Sequence, residues 1–241
     1  MNTPGRIMFH ELNTHDLKGA RAFYGPLFDW RFEARDDEYF YIKCGESMVA
    51  AMFKLPPPDA PPHWLPYISV STVEDGIAQA TAAGCKQLVP AMEVDAGRFS
   101  IFMDPQGAVF CAWQGHGGEL ATASQAVGSF VWDQLNTPDP AASQAAYARM
   151  FDWKTQAFPG MSELSTFVRG DQQLASLMQG PAGMPAHWLA YIRVENLSET
   201  REHAAAAGGK VMVEEIRVPQ MGAFSVLQDP EGALFAVFTA A

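Results

Sequence analysis

The chain has 241 residues, 48% hydrophobic and 18% charged, a composition that excludes an intrinsically disordered or collagen-like protein. Its formal net charge is -11, and its sixteen Lys and Arg form no basic run, which argues against a nucleic-acid partner. No apolar run reaches the roughly 18 to 20 residues of a spanning helix, and MNTPGRIMFHELN at the start lacks a signal peptide's apolar stretch, so the expectation is a cytoplasmic protein with no membrane segment.

In chain order, MFHELNT alternates as a strand, and Asp16 caps a helix with an apolar face of Leu17, Ala20, Phe23, Tyr24 and Leu27, spaced by three and four. RFEAR, EYFYIK and MVAAMFK follow as short strands. The Pro-rich run from Pro56 to Pro62 cannot donate ladder hydrogen bonds and reads as a connector. Next come the strand WLPYISV and a helix opened by Thr72 with Asp75 three residues on, a capping box ended by Gly84. KQLVPA, RFSIFMD and AVFCAWQ complete this quarter. Each quarter is a βαβββ unit.

The second half repeats the plan. LNTHD at Leu12 returns as LNTPD at Leu135, FDW at Phe28 as FDW at Phe151, and DPQGAVF at Asp104 as DPEGALF at Asp229. HWLPYISV at His63 returns as HWLAYIRV at His187, with six of eight letters kept. Asp139 with Pro140 opens the third helix; Asn196 with Glu199 caps the fourth, which Gly208 ends. The chain is a duplication of residues 1–117 and 128–241, joined by a Gly-, Ala- and Ser-rich linker at 118–127. Cys44, Cys85 and Cys111 form no CxxC pair and read as buried thiols rather than a disulfide framework or zinc site.

AFYGPLFDW, the AAG helix end and the DPQG turn before the last strand, set in tandem βαβββ units, resemble the vicinal oxygen chelate superfamily, which includes glyoxalase I, extradiol dioxygenases and bleomycin-resistance proteins. The resemblance covers nearly the whole chain and is nearest to two-domain bacterial glyoxalase-like proteins. It implies an α+β fold of four βαβββ modules forming two tandem glyoxalase/bleomycin-resistance-like domains, their sheets curled into open half-barrels around a small-molecule ligand or a divalent metal. It also implies a monomer whose halves mimic a dimer, or a homodimer.

Metal-using members of that superfamily draw four ligands from His, Glu or Gln. Carried over residue by residue, those places hold Phe9, Tyr67 and Cys111 in the first half and Trp132, Tyr191 and Ala236 in the second, with the fourth near Ala50 to Met52 and Ala175 to Met178. None supplies an imidazole or carboxylate, so no cofactor is expected; an unusual Zn, Ni or Fe site is the alternative.

Residues two apart share a strand face, so Glu11 and Asn13 face with Phe9, and Gln134 and Asn136 with Trp132. Glu11 is the candidate general acid or base and Tyr67 its hydrogen-bonding partner in catalysis. The candidate ligand-binding residues are Asn13, Ser69, Cys111, Trp113, Gln134, Asn136, Tyr191, Arg193 and Phe238, with Arg193 favouring an anion. His63 and His187, identical in both halves, read as scaffold at a strand entrance. Two functions fit: binding of a small, partly apolar molecule without chemistry, or a glyoxalase-like lyase, isomerase or dioxygenase-type enzyme with an unusual metal or with Glu11 as base.

Overall fold

A computed structural model describes residues 4–56, 60–117 and 124–241. The middle of the Pro-rich connector and residues 118–123 of the expected linker lie outside them. The first module is β1 (Ile7–Thr14), α1 (Leu17–Phe28), β2 (Trp30–Ala34), β3 (Tyr39–Cys44) and β4 (Ser47–Lys54). The second is β5 (His63–Ser69), α2 (Val73–Ala82), β6 (Lys86–Val94), β7 (Gly97–Met103) and β8 (Val109–Gly115). The third is β9 (Phe130–Thr137), α3 (Pro140–Phe151), β10 (Lys154–Ala157), β11 (Leu164–Arg169) and β12 (Gln172–Gln179). The fourth is β13 (His187–Arg193), α4 (Leu197–Ala206), β14 (Lys210–Val218), β15 (Gly222–Gln228) and β16 (Leu234–Ala240).

The strands form two eight-stranded sheets, ordered β2-β3-β4-β1-β5-β8-β7-β6 and β10-β11-β12-β9-β13-β16-β15-β14. Each order has two ends, so both sheets are open, and the architecture is the expected α+β repeat of four βαβββ modules. No helix among the described residues is long and apolar enough to cross a membrane.

The helices begin where the capping residues predict. Asp16 Oδ1 accepts from Lys18 and Gly19 N–H at 3.1 and 2.9 Å, and Asp139 Oδ1 from Ala142 N–H at 3.0 Å. Thr72 Oγ1 accepts from Asp75 N–H at 3.0 Å, and Asn196 Oδ1 from Ser198 and Glu199 N–H at 3.0 and 3.2 Å. Each cap contributes about 1 kcal/mol. Along α1 the buried side chains are Leu17, Ala20, Phe23, Tyr24 and Phe28, while Leu27 is only half-buried; the stripe drifts by one residue at its end because 3.6 residues per turn do not divide evenly into the 3,4 spacing.

Two compact units interleave along the sequence. The middle unit, Met1–Phe9, Leu65–Thr122 and Asp133–Trp188, carries most of the second and third modules; the end unit, His10–Trp64, Ala123–Trp132 and Leu189–Ala241, carries most of the first and fourth. In the end unit α1 packs on α4, and Leu12, Phe23, Tyr24, Phe28, Trp30 and Ile42 share a core with Ile192, Val194, Leu227, Phe235 and Val237. In the middle unit α2 packs on α3, and Ile68, Phe102, Phe110 and Ala112 share a core with Tyr147, Phe151, Trp153, Phe167 and Trp188. Full burial of one such aliphatic or aromatic side chain stabilises by about 1.5–3 kcal/mol, so each module depends on a partner from the other half of the sequence for its core.

The repeated HW phrase marks a polar lock in each core. Trp64 Nε1 donates to the Tyr24 hydroxyl at 3.2 Å, and that hydroxyl donates to Asp229 Oδ2 at 3.1 Å. In the middle unit Trp188 Nε1 donates to Tyr147 at 3.1 Å and Tyr147 to Asp104 Oδ2 at 3.2 Å. The second oxygen of each Asp holds its own turn: Asp229 Oδ1 accepts from Glu231, Gly232 and Ala233 N–H, and Asp104 Oδ1 from Gln106, Gly107 and Ala108 N–H. The DPxG motif and the Tyr of AFYGPLFDW, far apart in sequence, are therefore halves of one hydrogen-bond chain. Burial, more than any other influence, pushes both phenols and both carboxyls above their ordinary pKa values.

Candidate functional site

Strand alternation divides β3 between two environments. Phe40 and Ile42 enter the end-unit core, so Tyr39 and Tyr41 must stand on the opposite face. The ladder register then builds a small array on that face. Asn13 on β1 pairs with Phe53 on β4, which pairs with Tyr39 on β3; one row over, Glu11 pairs with Ala51, which pairs with Tyr41. Adjacent strands lie about 4.8 Å apart, and the fully buried Ala51 contributes only a methyl group between Glu11 and Tyr41. Tyr39 meets Tyr41 edge-on at 5.6 Å and lies 6.5 Å from Phe53. These three rings are half-buried, whereas Glu11 and Asn13 are each 5% exposed.

Glu11 accepts from the Tyr39 hydroxyl and, weakly, from Asn13 Nδ2 at 3.5 Å. Burial raises the Tyr39 phenol well above its ordinary pKa, and the neighbouring Glu11 charge raises it further. Tyr39 is thus a proton donor to the carboxylate and is never a base at neutral pH. Arg35 lies over its ring, 4.5 Å from the centroid, while bound to Asp36.

The same positions in the third module carry different chemistry. Asn136 lies beside Met178 and Leu164, and Gln134 beside Ser176 and Thr166. Gln134 Nε2 donates to Asn136 Oδ1 at 2.8 Å, and Asn136 Nδ2 contacts His187 Nε2 at 3.3 Å. His187 Nδ1 lies 2.9 Å from the Pro185 carbonyl, which can only accept. That partner fixes the Nδ1–H tautomer, leaving Nε2 to accept from Asn136. Burial holds His187 below the usual imidazole pKa. The first-module array is aromatic and anionic; the third-module array is neutral, built of amides and hydroxyls.

A third group lies in the middle unit. The Phe9 and Tyr67 rings meet edge-on at 5.6 Å, and Tyr67 lies 5.7 Å from Trp113. Tyr67 is register partner of Cys111, and Ser69 of Trp113. Phe9, Tyr67 and Cys111, at the places that the family resemblance gives to metal ligands, are a hydrocarbon ring, a phenol and a fully buried thiol. Trp132, Tyr191 and Ala236, their counterparts in the end unit, belong to an apolar cluster. Among the described residues no three His, Cys, Asp or Glu side chains gather where a cation could be held. These residues do not fit a divalent metal, which requires several imidazole or carboxylate donors.

Other expected site residues are engaged elsewhere. The Ser69 hydroxyl accepts from Arg6 N–H at 3.0 Å and donates to the Arg6 carbonyl at 3.2 Å, closing the entrance of β1. Arg193 Nη1 donates to the Gln125 carbonyl at 2.7 Å, which ties the end of β13 to the segment before β9. Tyr191 packs edge-on against Phe224 at 5.2 Å, beside a half-buried Phe238. His63, like His187, has its Nδ1 on a proline carbonyl, that of Pro61 at 2.9 Å, and burial lowers its pKa. Sequence reasoning did not assign Tyr39, Tyr41 or Phe53 to a site. The signal was the alternation in EYFYIK, where two tyrosines fall out of phase with Phe40 and Ile42.

Comparison with known proteins agrees with this fold. Residues 5–112 match the family model described as the Glyoxalase/Bleomycin resistance protein/Dioxygenase superfamily, and residues 129–238 the one described as Glyoxalase-like domain. The chain is 32% identical over 239 residues to CFP32 of Mycobacterium tuberculosis (strain CDC 1551 / Oshkosh), whose name provisionally calls it a glyoxylase, covering 94% of this chain and 92% of that one. It is 25% identical to the anthracycline biosynthesis protein DauV of Streptomyces sp. (strain C5), covering 97% and 93%. Among solved structures it resembles a Mn(II)-bound glyoxalase from Novosphingobium aromaticivorans, with a TM-score of 0.69 and 14% identity over 99% of this chain and 83% of that one. The 2,3-dioxygenase LapB from Pseudomonas sp. KL28 gives a TM-score of 0.69 and 14% identity over 99% and 93%.

Proposed function

The chain belongs to the Glyoxalase/Bleomycin resistance protein/Dioxygenase superfamily, and from that premise we propose that it binds a small, partly apolar organic molecule on the first-module face, without the divalent metal of its metal-using relatives. The observation that carries this reading is the array of half-buried Tyr39, Tyr41 and Phe53 beside the buried Glu11 and Ala51. Aromatic walls with a few placed polar groups are what small-molecule sites use. Elemental analysis of protein purified without a histidine tag, with equilibrium binding of planar aromatic compounds, tests it. Saturable binding that Tyr41→Ala abolishes, in protein free of bound metal and with the compound recovered unchanged, supports the reading. Stoichiometric zinc, nickel or iron overturns its metal-free part.

A second reading is favoured by one contact. The Tyr39 hydroxyl orients the Glu11 carboxylate, which is how a general base is held for proton abstraction. In this reading the chain is a metal-free lyase or isomerase with Glu11 as base. Turnover that falls by a factor of about 100 or more in Glu11→Gln favours it over binding alone; turnover that survives the substitution removes Glu11 from that role.

A further inference from the structure

We propose a second ligand site, on the second-module face of the middle unit, where the Trp113 indole N–H takes the carbonyl oxygen of a neutral, flat, apolar molecule. Among the described residues two buried side-chain polar atoms have no hydrogen-bond partner, His15 Nδ1 and Trp113 Nε1. His15 donates from Nε2 to the Ala60 carbonyl at 3.1 Å, so in the neutral ring its Nδ1 is a lone pair that needs no acceptor. An indole nitrogen has no such choice, because it only donates. Four other tryptophans follow the rule that buried donors find acceptors. Trp30 donates to the Gly128 carbonyl at 2.8 Å and Trp153 to the Gly5 carbonyl at 2.9 Å, while Trp64 and Trp188 donate to tyrosine hydroxyls. Trp113, 3% exposed, breaks it.

The surroundings select the ligand. Ladder pairing puts Trp113, Phe99 and Met92 in one row and Tyr67, Cys111 and Ile101 in the next, while Ile68, Ala112 and Phe102 of the same strands enter the core on the other face. Neither row contributes a carboxylate or a cation. A charged ligand there would lose its hydration with no counter-ion from either row, a cost that a neutral one escapes. Phe99 and Ile101 are half-buried and Met92 is exposed, so the ligand's body enters on the β6 side of the indole. Gly97 makes room for the ring: a Cβ there would lie 2.7 Å from Trp113 Cζ2, on the edge that carries the nitrogen. The duplicate half isolates the donor. Arg193 pairs with Phe238 where Ser69 pairs with Trp113, so the scaffold takes a ring without an N–H at this place, and packing alone does not call for the indole.

The test is ¹H–¹⁵N NMR of the full chain labelled at its tryptophan indoles, titrated with three probes that share one ring system: 1-tetralone, tetralin without a carbonyl, and anionic tetralin-1-carboxylate. In the free protein the Trp113 indole proton, identified by its loss in Trp113→Phe, is expected upfield of those of Trp30, Trp64, Trp153 and Trp188. Tetralone should move it downfield to saturation and bind at least fivefold more tightly than either other probe. Trp113→Phe should bring tetralone and tetralin within twofold of each other. Where Trp113→Phe fails to fold by circular dichroism, the wild-type spectrum decides, and one indole proton that moves downfield with tetralone and not with tetralin supports the site. Equal affinity for tetralone and tetralin in the wild type, tighter binding of the carboxylate, no indole proton that moves downfield, or a ratio unchanged in folded Trp113→Phe overturns it. Tetralone binding that Tyr41→Ala abolishes belongs to the first-module face and also overturns the second site. Planar compounds that ignore Tyr41→Ala but need the Trp113 N–H sink the first-module reading and support this one.

Discussion

Replacing Tyr24 with Phe removes one oxygen from a fully buried site and should cost far more than a single hydrogen bond. The hydroxyl accepts from Trp64 Nε1 at 3.2 Å and donates to Asp229 Oδ2 at 3.1 Å; without it, an indole N–H and a carboxylate oxygen both lose a partner. Each orphaned buried group costs about 1–3 kcal/mol, so Tyr24→Phe should destabilise by about 2–6 kcal/mol at pH 7. The loss should also depend on pH. Burial raises the Asp229 pKa, and the Tyr24 hydrogen bond works against that rise. A carboxyl whose folded pKa is raised contributes stability that is present below its unfolded pKa, near 3.9, and is lost as pH climbs through the folded value. Removing the hydroxyl raises that folded value further, so the deficit of Tyr24→Phe should be smaller near pH 4.5 than at pH 7. Urea denaturation followed by tryptophan fluorescence at both pH values measures it, with Tyr147→Phe as an independent replica of the lock. A deficit below about 0.5 kcal/mol in both variants, or one that does not change with pH, would refute the claim that these hydroxyls join distant modules through a charged acceptor.

Glu231 should behave as a cap supplied from a distant segment: its Oε2 accepts from His15 and Asp16 N–H at 3.0 and 2.8 Å and from the Thr14 hydroxyl, so Glu231→Ala should lose about 1–2 kcal/mol in the same urea titration, and a neutral result would dismiss the contact. Gly128→Ala should cost at least 1 kcal/mol, because Gly128 has φ +79 and an added Cβ would lie 2.8 Å from Cys44 Sγ, whereas Gly45→Ala, at φ +58 but in open space, should cost less; equal thermal shifts in the two variants would count against this. His187 should show the Nδ1–H tautomer and take up its proton at lower pH than an unfolded imidazole in long-range ¹H–¹⁵N spectra. Its lowered folded pKa makes stability fall as pH drops below about 6.5, where the unfolded imidazole takes a proton that the folded one refuses; an Nε2–H tautomer would break the proposed Asn136 link. Cys85, its thiol pushed up to about 12 by burial, should react with iodoacetamide at pH 8 roughly a thousandfold more slowly than an unfolded cysteine, as read by mass spectrometry.

Much of the fold was legible because the chain states its plan twice. LNTHD, FDW and DPQG each recur at nearly one offset, and caps such as Asp16, Asp139, Thr72 and Asn196 act over three residues, a range at which sequence is explicit. The partnership of Tyr24 with Asp229 was not legible: a motif shows that a residue recurs, without showing which distant segment it meets. The site was legible in part. Alternation put Glu11 and Asn13 on one face and Gln134 and Asn136 on the matching one, and the structure joins each pair by a hydrogen bond. Arg193 illustrates the limit, since the reading of its face was blind to the Gln125 carbonyl that occupies its guanidinium. Tyr39 and Tyr41 were not among the candidate site residues, although their phase against Phe40 and Ile42 in EYFYIK held the signal.

The interleaving of the two units also sets a timetable for synthesis on the ribosome. The middle unit has all its segments once Trp188 has emerged, but the end unit waits for the last residues of the chain, because Leu12, Phe23, Tyr24 and Trp30 find Leu227, Phe235 and Val237 only then. At 5–20 residues per second the first module is exposed for on the order of ten to thirty seconds, with an apolar helix face and an unfilled core. That interval makes the nascent N-terminal module a natural client for a chaperone.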